Sequence, residues 1–413
     1  MEPLLFLAHR IPYPPNKGDK IRSYHLLRHL SARYEVHVGA FVDAPDDRVH
    51  VPALGNLCAS LRAEILRPRA ARLLSVAGLL TGEPLTLPYY RSRSLQSWVD
   101  TTVARHGIRK AVVFSAAMAQ YVERSKLRWV LDFVDVDSAK WSEYAERRRW
   151  PSSVVFRREG RKLGEYERRA AEHCHACAFV TRAEADLFLA HVPVLENRVH
   201  VIENGVDTAH FDPSTAWPSP FGQNEVAIVF TGAMDYWPNV DAVTWFAREV
   251  MPRVLAVRPD ARFYVVGMNP TAEVAALAAN RAVTVTGSVE DTRPYLQHAA
   301  AVVAPLRVAR GVQNKVLEAM AMGRPVVVSR AASRGVSGLE GRDFASAATA
   351  GEFTDKLVCL LGDVAASAAM GEKARQRILD VYSWERSLAR FDHLLDPAVG
   401  QRGFGATAQG AVG

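Results

Sequence analysis

The sequence predicts an α/β protein made of two Rossmann-like, doubly wound domains, and three features carry that prediction. At 413 residues the chain is too long for one ordinary core and suits two domains of about 200 residues each. Short apolar runs alternate with amphipathic stretches through both halves, as in a parallel sheet covered on both faces. Between the halves, Pro213-Ser-Thr-Ala-Trp-Pro-Ser-Pro220 breaks the alternation and reads as a linker.

In chain order, strands are expected at 4–8, 35–41, 111–115, 129–134, 176–180 and 199–202. The amphipathic stretches 21–33, 95–105 and 157–172 lie between them as helices. After the linker, strands at 226–231, 262–266, 283–286, 301–304 and 325–329 alternate with helices at 240–256, 271–279, 291–298, 314–322 and 352–361, the order of a doubly wound domain. Two more helices follow, near 365–381 and 384–395. The division is then 1–212 for the first domain, 213–223 for the linker and 224–382 for the second domain. A helix at 383–396 is expected to pack back on the first domain, and 397–413, rich in Gly and Ala without periodicity, is read as a disordered tail.

Composition narrows the class. A hydrophobic fraction of 49% and a charged fraction of 23% are those of a soluble globular protein. No run of eighteen apolar residues occurs, so a membrane span is not expected. The apolar run in Met1-Glu-Pro-Leu-Leu-Phe-Leu-Ala8 is short and has an acidic second residue, which reads as a buried strand and not a signal peptide. Four cysteines in so long a chain are no disulfide framework. The expected location is cytoplasmic, with peripheral contact at the inner face of the cytoplasmic membrane. That contact is suggested by charge: residues 1–200 hold 31 Lys and Arg against 22 Asp and Glu, whereas the remainder is slightly acidic, for +7 in all. A basic first half fits anionic lipid or a phosphorylated acceptor; an Arg-rich solvated surface is the plainer alternative. The Arg147–Arg149 and Arg157–Lys162 runs share their helices with Glu143, Glu146, Glu159 and Glu165, so no nucleic-acid partner is expected.

Ligands of doubly wound sheets bind just beyond the carboxyl ends of strands. After the first strand comes His9-Arg-Ile-Pro-Tyr-Pro-Pro-Asn-Lys-Gly-Asp-Lys20, where Lys17, Lys20, the permissive Gly18 and the amides of the next helix make a candidate anion site. The strongest local signal is Pro305-Leu-Arg-Val-Ala-Arg-Gly-Val-Gln-Asn-Lys-Val-Leu-Glu-Ala-Met-Ala-Met-Gly-Arg-Pro325. It reads as a strand end, a loop at Gly311 and a helix beginning near Asn314. Such a helix aims amides and the positive end of its dipole at a ligand. Lys315 and Glu318 share one helix face; the cation suits a diphosphate and the carboxylate suits ribose hydroxyls. Asp132, Asp135 and Asp137 follow one another at a strand end, where they could bind sugar hydroxyls, act as a base, or cap the next helix. His173-Cys-His-Ala-Cys177 lacks a second ligand pair and leads into a strand, so no metal is assigned to it.

Glu318-Ala-Met-Ala-Met-Gly-Arg-Pro-Val-Val327 resembles the signature helix of family 4 GT-B glycosyltransferases. Val201-Ile-Glu-Asn-Gly-Val-Asp207, Phe230-Thr-Gly-Ala-Met-Asp-Tyr-Trp-Pro-Asn239, Phe263-Tyr-Val-Val-Gly267 and Val285-Thr-Gly-Ser-Val289 are similar to further family stretches in order and spacing. Pro-Pro-Asn-Lys-Gly-Asp-Lys20, Asp132-Phe-Val-Asp-Val-Asp-Ser138 and Arg310-Gly-Val-Gln-Asn-Lys315 resemble the sugar transferases of exosortase (PEP-CTERM) exopolysaccharide systems.

The resemblance implies two Rossmann-like domains facing across a cleft, with the nucleotide-sugar donor in the second and the acceptor in the first. Transfer would be retaining, with no metal and no cofactor besides the donor. On this reading Glu318 grips the ribose, Lys315 neutralises the diphosphate, and Gly232 and Gly18 let it approach. The donor-binding set is Lys17, Gly18, Gly232, Asn239, Gly311, Asn314, Lys315 and Glu318; the catalytic set is Asp135, Asp137 and Arg310. Two departures stand out. Arg310 occupies the position eight before Glu318 where many relatives carry a glutamate, and the Arg/Lys pair of those relatives is not visible in Met234–Asn239. The expected function is sugar transfer from a nucleotide diphosphate sugar to a glycan or lipid-linked acceptor in exopolysaccharide biosynthesis. The alternatives are a nucleotide-sugar epimerase of the same build or a donor-binding scaffold without catalysis.

Overall fold

The computed structural model describes residues 1–15, 18–76, 78–147, 150–309 and 312–396. The chain divides into two compact units, Met1–Glu203 with Ser387–Gly413, and Asn204–Arg386.

The first unit holds a seven-stranded sheet. Its strands are β1 Glu2–Ala8, β2 Tyr34–Val42, β3 Ser60–Ile65, β4 Lys110–Phe114, β5 Arg128–Val134, β6 Ala176–Phe179 and β7 Val199–Val201, in the spatial order β3-β2-β1-β4-β5-β6-β7. Every pairing is parallel. Burial on both faces explains why β1 reads as an unbroken apolar run: Leu4, Leu5, Phe6 and Leu7 are fully buried. Helix Gly18–Ser31 turns Leu26, Leu27 and Leu30 into this core. One buried charge pair crosses it. The Arg22 guanidinium donates to both Asp132 oxygens, at 2.7 and 3.1 Å, and to the Ile202 carbonyl at 2.8 Å. Both side chains are fully buried. The fork geometry offsets the desolvation of two charges, so Asp132 holds helix, β5 and the residue after β7 together and faces no ligand.

The second unit holds β8 Val226–Thr231, β9 Ala261–Val266, β10 Val283–Gly287, β11 Ala301–Ala304, β12 Val326–Ser329 and β13 Ala345–Ala347, in the order β10-β9-β8-β11-β12-β13. All are parallel. This is the doubly wound Rossmann order, with chain reversal between β8 and β11. Phe230, Phe246, Phe263 and Phe353 fill its core.

Three features depart from the sequence expectations. Strands β3 and β13 were not expected. β3 is an edge strand of half-exposed Ser-Leu-Arg-Ala-Glu-Ile, in which Arg62 and Glu64 pair at 2.7 Å, so it lacks the apolar run of a central strand. β13 is only Ala-Ser-Ala. The chain also passes between units at Glu203/Asn204, and the proline-rich stretch lies inside the second unit. There the Gln297 amide donates to the Pro213 and Thr215 carbonyls, its oxygen accepts from Trp217 N at 2.9 Å, and the Arg293 guanidinium lies 4.4 Å over the Trp217 ring. These contacts dock a segment whose composition alone suggests a free linker.

The chain returns to the first unit within helix Trp384–Leu395. In the second unit Val206 N donates to the Tyr382 carbonyl at 2.7 Å, and a Cβ on Gly205 would lie 2.6 Å from the Trp384 backbone, so only glycine fits there. In the first unit Asp392 meets His29 Nε2 at 3.0 Å and Arg390 donates to the Val201 carbonyl. No helix among the described residues is long and apolar enough to cross a membrane. The tail at 397–413 lies outside the described residues.

Candidate functional site

In the second unit the crevice expected from topology lies where β8 and β11 run side by side and their onward connections diverge. Gly232 follows β8. Helix Trp237–Trp245 then supplies Asn239, and helix Asn314–Ala321 supplies Asn314, Lys315 and Glu318. The Lys315 ammonium donates to Asn239 Oδ1 at 2.6 Å and stands 4.1 Å over the Phe230 ring. Asn239 is fixed in turn by donating from Nδ2 to the Ala233 carbonyl at 2.8 Å. Gly232 lies directly beneath: a Cβ there would come within 2.8 Å of Asn239 Nδ2 and 2.9 Å of Lys315 Nζ. Gly267, after β9, is tighter still, since its Cβ would lie 1.7 Å from the Gly232 carbonyl oxygen. Two glycine backbones therefore touch under the amine. Asn314 Oδ1 accepts from Asn204 Nδ2 at 3.2 Å, which joins the helix start to the segment entering this unit.

Burial lowers the Lys315 ammonium to about 7, with Glu318 opposing the shift. Burial likewise raises the Glu318 carboxyl to about 7, with Lys315 opposing. Both side chains keep some solvent contact. Two half-buried groups poised between charged and neutral near pH 7 are suited to a ligand that brings its own charge.

In the first unit, the residues after β1, β2, β4 and β5 form a second cluster. The His9 ring stacks on Phe114 with centroids 5.9 Å apart and meets Tyr90 edge-on. His9 Nε2 lies 3.4 Å from Asp19 Oδ2. Arg10 bridges Asp19 at 2.9 Å and Asp43 at 2.8 Å. Burial alone would raise the Asp19 carboxyl, but His9 and Arg10 hold it well below the usual carboxylate range. His9 Nδ1 is buried with no hydrogen-bond partner among the described residues. Ser115 and Val134, after β4 and at the end of β5, have φ of 76° and 68°, a conformation that non-glycine residues adopt at a cost.

Asp135 and Asp137 share one partner, Lys140, at 2.9 and 3.0 Å. Neither caps the helix Asp137–Arg147. The Val136 amide donates to Glu184 at 2.7 Å, and the Ser138 amide and hydroxyl donate to Glu167. Asp135 Oδ1 is buried without a hydrogen-bond partner among the described residues, so the carboxylate has an acceptor position to offer.

The structure thus brings together Gly232, Asn239 and Lys315, with Asn314 and Glu318 on the same helix as Lys315. Gly18 opens an exposed helix start in the first unit. Lys20 offers no free cation to an anion, since its buried ammonium pairs with Asp47 at 2.6 Å. Lys17, Arg310 and Gly311, with Arg148 and Arg149, lie outside the described residues. Cys174 and Cys177 are buried with sulfurs 3.3 Å apart. The contact with Cys174 and burial push the Cys177 thiol up, which keeps it unreactive. Sequence reading missed His9, Arg10, Asp19 and Asp43. His9 and Arg10 stand immediately after the first strand, a position that could have flagged them.

Comparisons with known proteins agree with this fold. The family described as Glycosyl transferases group 1 matches residues 225–363, most of the second unit. No curated protein matches the chain. Among solved structures, sucrose-phosphate synthase (tll1590) from Thermosynechococcus elongatus is similar with a TM-score of 0.69 at 16% identity, over 97% of this chain and 100% of that one. Anabaena Alr3699/HepE in complex with UDP is similar with a TM-score of 0.66 at 12% identity, over 96% and 100%. WaaG, a glycosyltransferase involved in lipopolysaccharide biosynthesis, is similar with a TM-score of 0.64 at 15% identity, over 95% and 99%. The chain has the GT-B fold and carries a group 1 glycosyltransferase domain over residues 225–363; it is a glycosyltransferase.

Proposed function

We propose that the protein transfers a sugar, with retention of anomeric configuration, from a nucleoside diphosphate sugar to a glycan or lipid-linked acceptor in exopolysaccharide assembly. The observation that carries this reading is the convergence of Gly232, Asn239 and Lys315 at the chain-reversal point of the second sheet. Bare backbone beneath a fixed amine suits a diphosphate, and Glu318 one turn further along the helix suits the two ribose hydroxyls. In the reaction the bond from anomeric carbon to diphosphate oxygen breaks, a bond to an acceptor hydroxyl oxygen forms, that hydroxyl's proton passes to the departing diphosphate, and the nucleoside diphosphate leaves. Charge growing on that leaving group is what Lys315 stabilises, in the role a metal ion fills elsewhere. Asp135, whose buried Oδ1 has no hydrogen-bond partner among the described residues, is assigned to acceptor hydroxyls and Asp137 supports it through Lys140.

The uracil nucleotide is the first donor to test, because proteins of the same fold have been solved with UDP and with UDP-glucose. Thermal shift across a panel of nucleotide sugars reads donor binding directly, since a ligand at 100 times its Kd stabilises by about 2.7 kcal/mol. Release of nucleoside diphosphate that depends on a glycan or lipid-linked acceptor supports transfer. Free epimerised sugar nucleotide without acceptor would establish the epimerase, and tight binding without turnover would establish the scaffold.

A further inference from the structure

We infer that the first unit carries a divalent transition-metal site of the zinc class, built by Glu35, His37 and His106 and separate from sugar transfer. Glu35 and His37 are two apart on β2 and so project to one face of the sheet. His106 ends helix Arg93–His106, which packs on that face. The two imidazole rings lie with centroids 4.3 Å apart, His37 Nε2 is 3.9 Å from Glu35 Oε1, and one ligand atom from each residue falls within 4.8 Å of the others.

Two observations distinguish this group from a chance surface cluster. His37 is 1% exposed, and its Nε2 has no hydrogen-bond partner among the described residues. A buried ring nitrogen is not left unsatisfied without reason. Its other nitrogen, Nδ1, is held 2.8 Å from Ser60 Oγ, which sits opposite His37 on β3. With the Nδ1 proton donated to Ser60, Nε2 presents a lone pair toward Glu35 and His106. A histidine oriented through its second nitrogen is the usual outer-shell arrangement of a metal-ligating imidazole.

The donor set selects the ion. Two imidazoles and one carboxylate suit zinc and its neighbours and not magnesium or calcium, which prefer oxygen. Tetrahedral ligands about 2.0–2.1 Å from zinc lie roughly 3.4 Å apart, so the group must close by about an ångström. His37 is fixed, while Glu35 and His106 are exposed and free to swing in. Three protein ligands leave a fourth position for water. The site lies toward the amino end of β2, whereas the sugar-transfer residues of this unit follow the carboxyl ends of β1, β2, β4 and β5. Its consequence is structural: the ion would tie the end of helix Arg93–His106 to the start of β2.

The test uses the full chain without a histidine tag, stripped with chelator and titrated with Zn2+ by calorimetry, with melting temperature measured in parallel. One Zn2+ per chain and a raised melting temperature are expected for the wild type. His106→Ala and Glu35→Gln alter exposed side chains and should fold; each should abolish the stoichiometric site. Ser60→Ala should weaken it by about 10- to 100-fold. Co2+ should give a visible spectrum of nitrogen and oxygen ligation. The proposal is overturned if the wild type binds no stoichiometric Zn2+, if both ligand variants bind as the wild type does, or if Co2+ shows a thiolate charge-transfer band, which would move the site to Cys174 and Cys177.

Discussion

The Lys315 ammonium is held against Asn239 Oδ1 at 2.6 Å with the Gly232 backbone directly beneath both. The contact positions the amine while leaving it two further protons to donate. Removing the amine leaves Asn239 Oδ1 unpaired and strips the diphosphate of its nearest cation. A charged hydrogen bond contributes about 1.5–3 kcal/mol. Lys315→Ala and Glu318→Gln should therefore each weaken nucleoside diphosphate binding by about 10- to 150-fold in calorimetry. Unchanged affinity in both folded variants would remove the donor assignment.

The same pair sets a pH dependence. In the free protein Lys315 titrates near 7, so above that pH it is mostly neutral and must take up a proton to meet a diphosphate. Affinity should then fall as pH rises above about 7. Glu318 also titrates near 7 and must lose its proton to accept ribose hydroxyls, so affinity should fall on the acid side as well. Titrations between about pH 6 and 9 in buffers of different ionisation heat would show net proton uptake on the alkaline limb. Lys315→Met should abolish that uptake and keep the acid limb.

The two touching glycines should separate binding from folding. A Cβ on Gly232 meets the ends of two flexible side chains, whereas one on Gly267 meets a backbone carbonyl at 1.7 Å. Gly232→Ala should displace Lys315 and Asn239, costing donor affinity, and the φ of 154° strains the alanine, so the melting temperature falls too, though less than for Gly267→Ala. Gly267→Ala must move backbone, at about 1–3 kcal/mol or more of stability. Equal melting temperatures for the two variants would contradict this account.

Asp135 makes a complementary case in the first unit. Because Glu184 and Glu167 satisfy the amides of the next helix, Asp135→Asn removes no cap. It loses charge against Lys140 and alters the buried, unpartnered Oδ1. Acceptor-dependent turnover should drop by more than tenfold while the melting temperature moves little, and Asp137→Asn should do less. Full activity with lost stability would make Asp135 a structural residue.

The parts of this fold that were legible in the sequence are those where local pattern and tertiary role coincide. Central strands such as β1 and β8 are buried on both faces, so their apolar runs announce them. Gly232, Asn239, Lys315 and Glu318 fall into two short segments adjoining strand ends, where topology itself makes a crevice. What was not legible depends on partners distant in sequence. β3 is a strand because Ser60 to Ile65 pair along β2, not because of its own residues. Asp132 looks like its neighbours Asp135 and Asp137 until Arg22, 110 positions away, is found to neutralise it in the core. The proline-rich segment looks like a free linker until Gln297 and Arg293 are seen to dock it.

The first half of the chain is basic. In sequence, Arg62, Arg67, Arg69 and Arg72 form a basic group just before the apolar segment 73–80. Arg62 drops out, because Glu64 engages it at 2.7 Å. Arg48 takes its place, lining one cleft with Arg67, Arg69 and Arg72. The helix Pro68–Val76 buries Ala71 and Ser75 and turns Leu73 and Leu74 outward, 76% and 65% exposed, with Val76 and Leu79 also at the surface. A core-facing helix would bury those leucines, so the apolar face is open to an interfacial partner. An anionic bilayer attracts each nearby arginine by about 1 kcal/mol, within a Debye length near 8 Å. Liposome co-sedimentation should therefore show binding that needs anionic lipid and weakens in high salt. Replacing Arg48, Arg67, Arg69 and Arg72 together by glutamine should reduce it by well over tenfold, and Leu73→Ser with Leu74→Ser should reduce it at any salt. Equal pelleting with neutral and anionic vesicles, or with neither, would mean that the charge asymmetry is only the solvated surface of an arginine-rich protein.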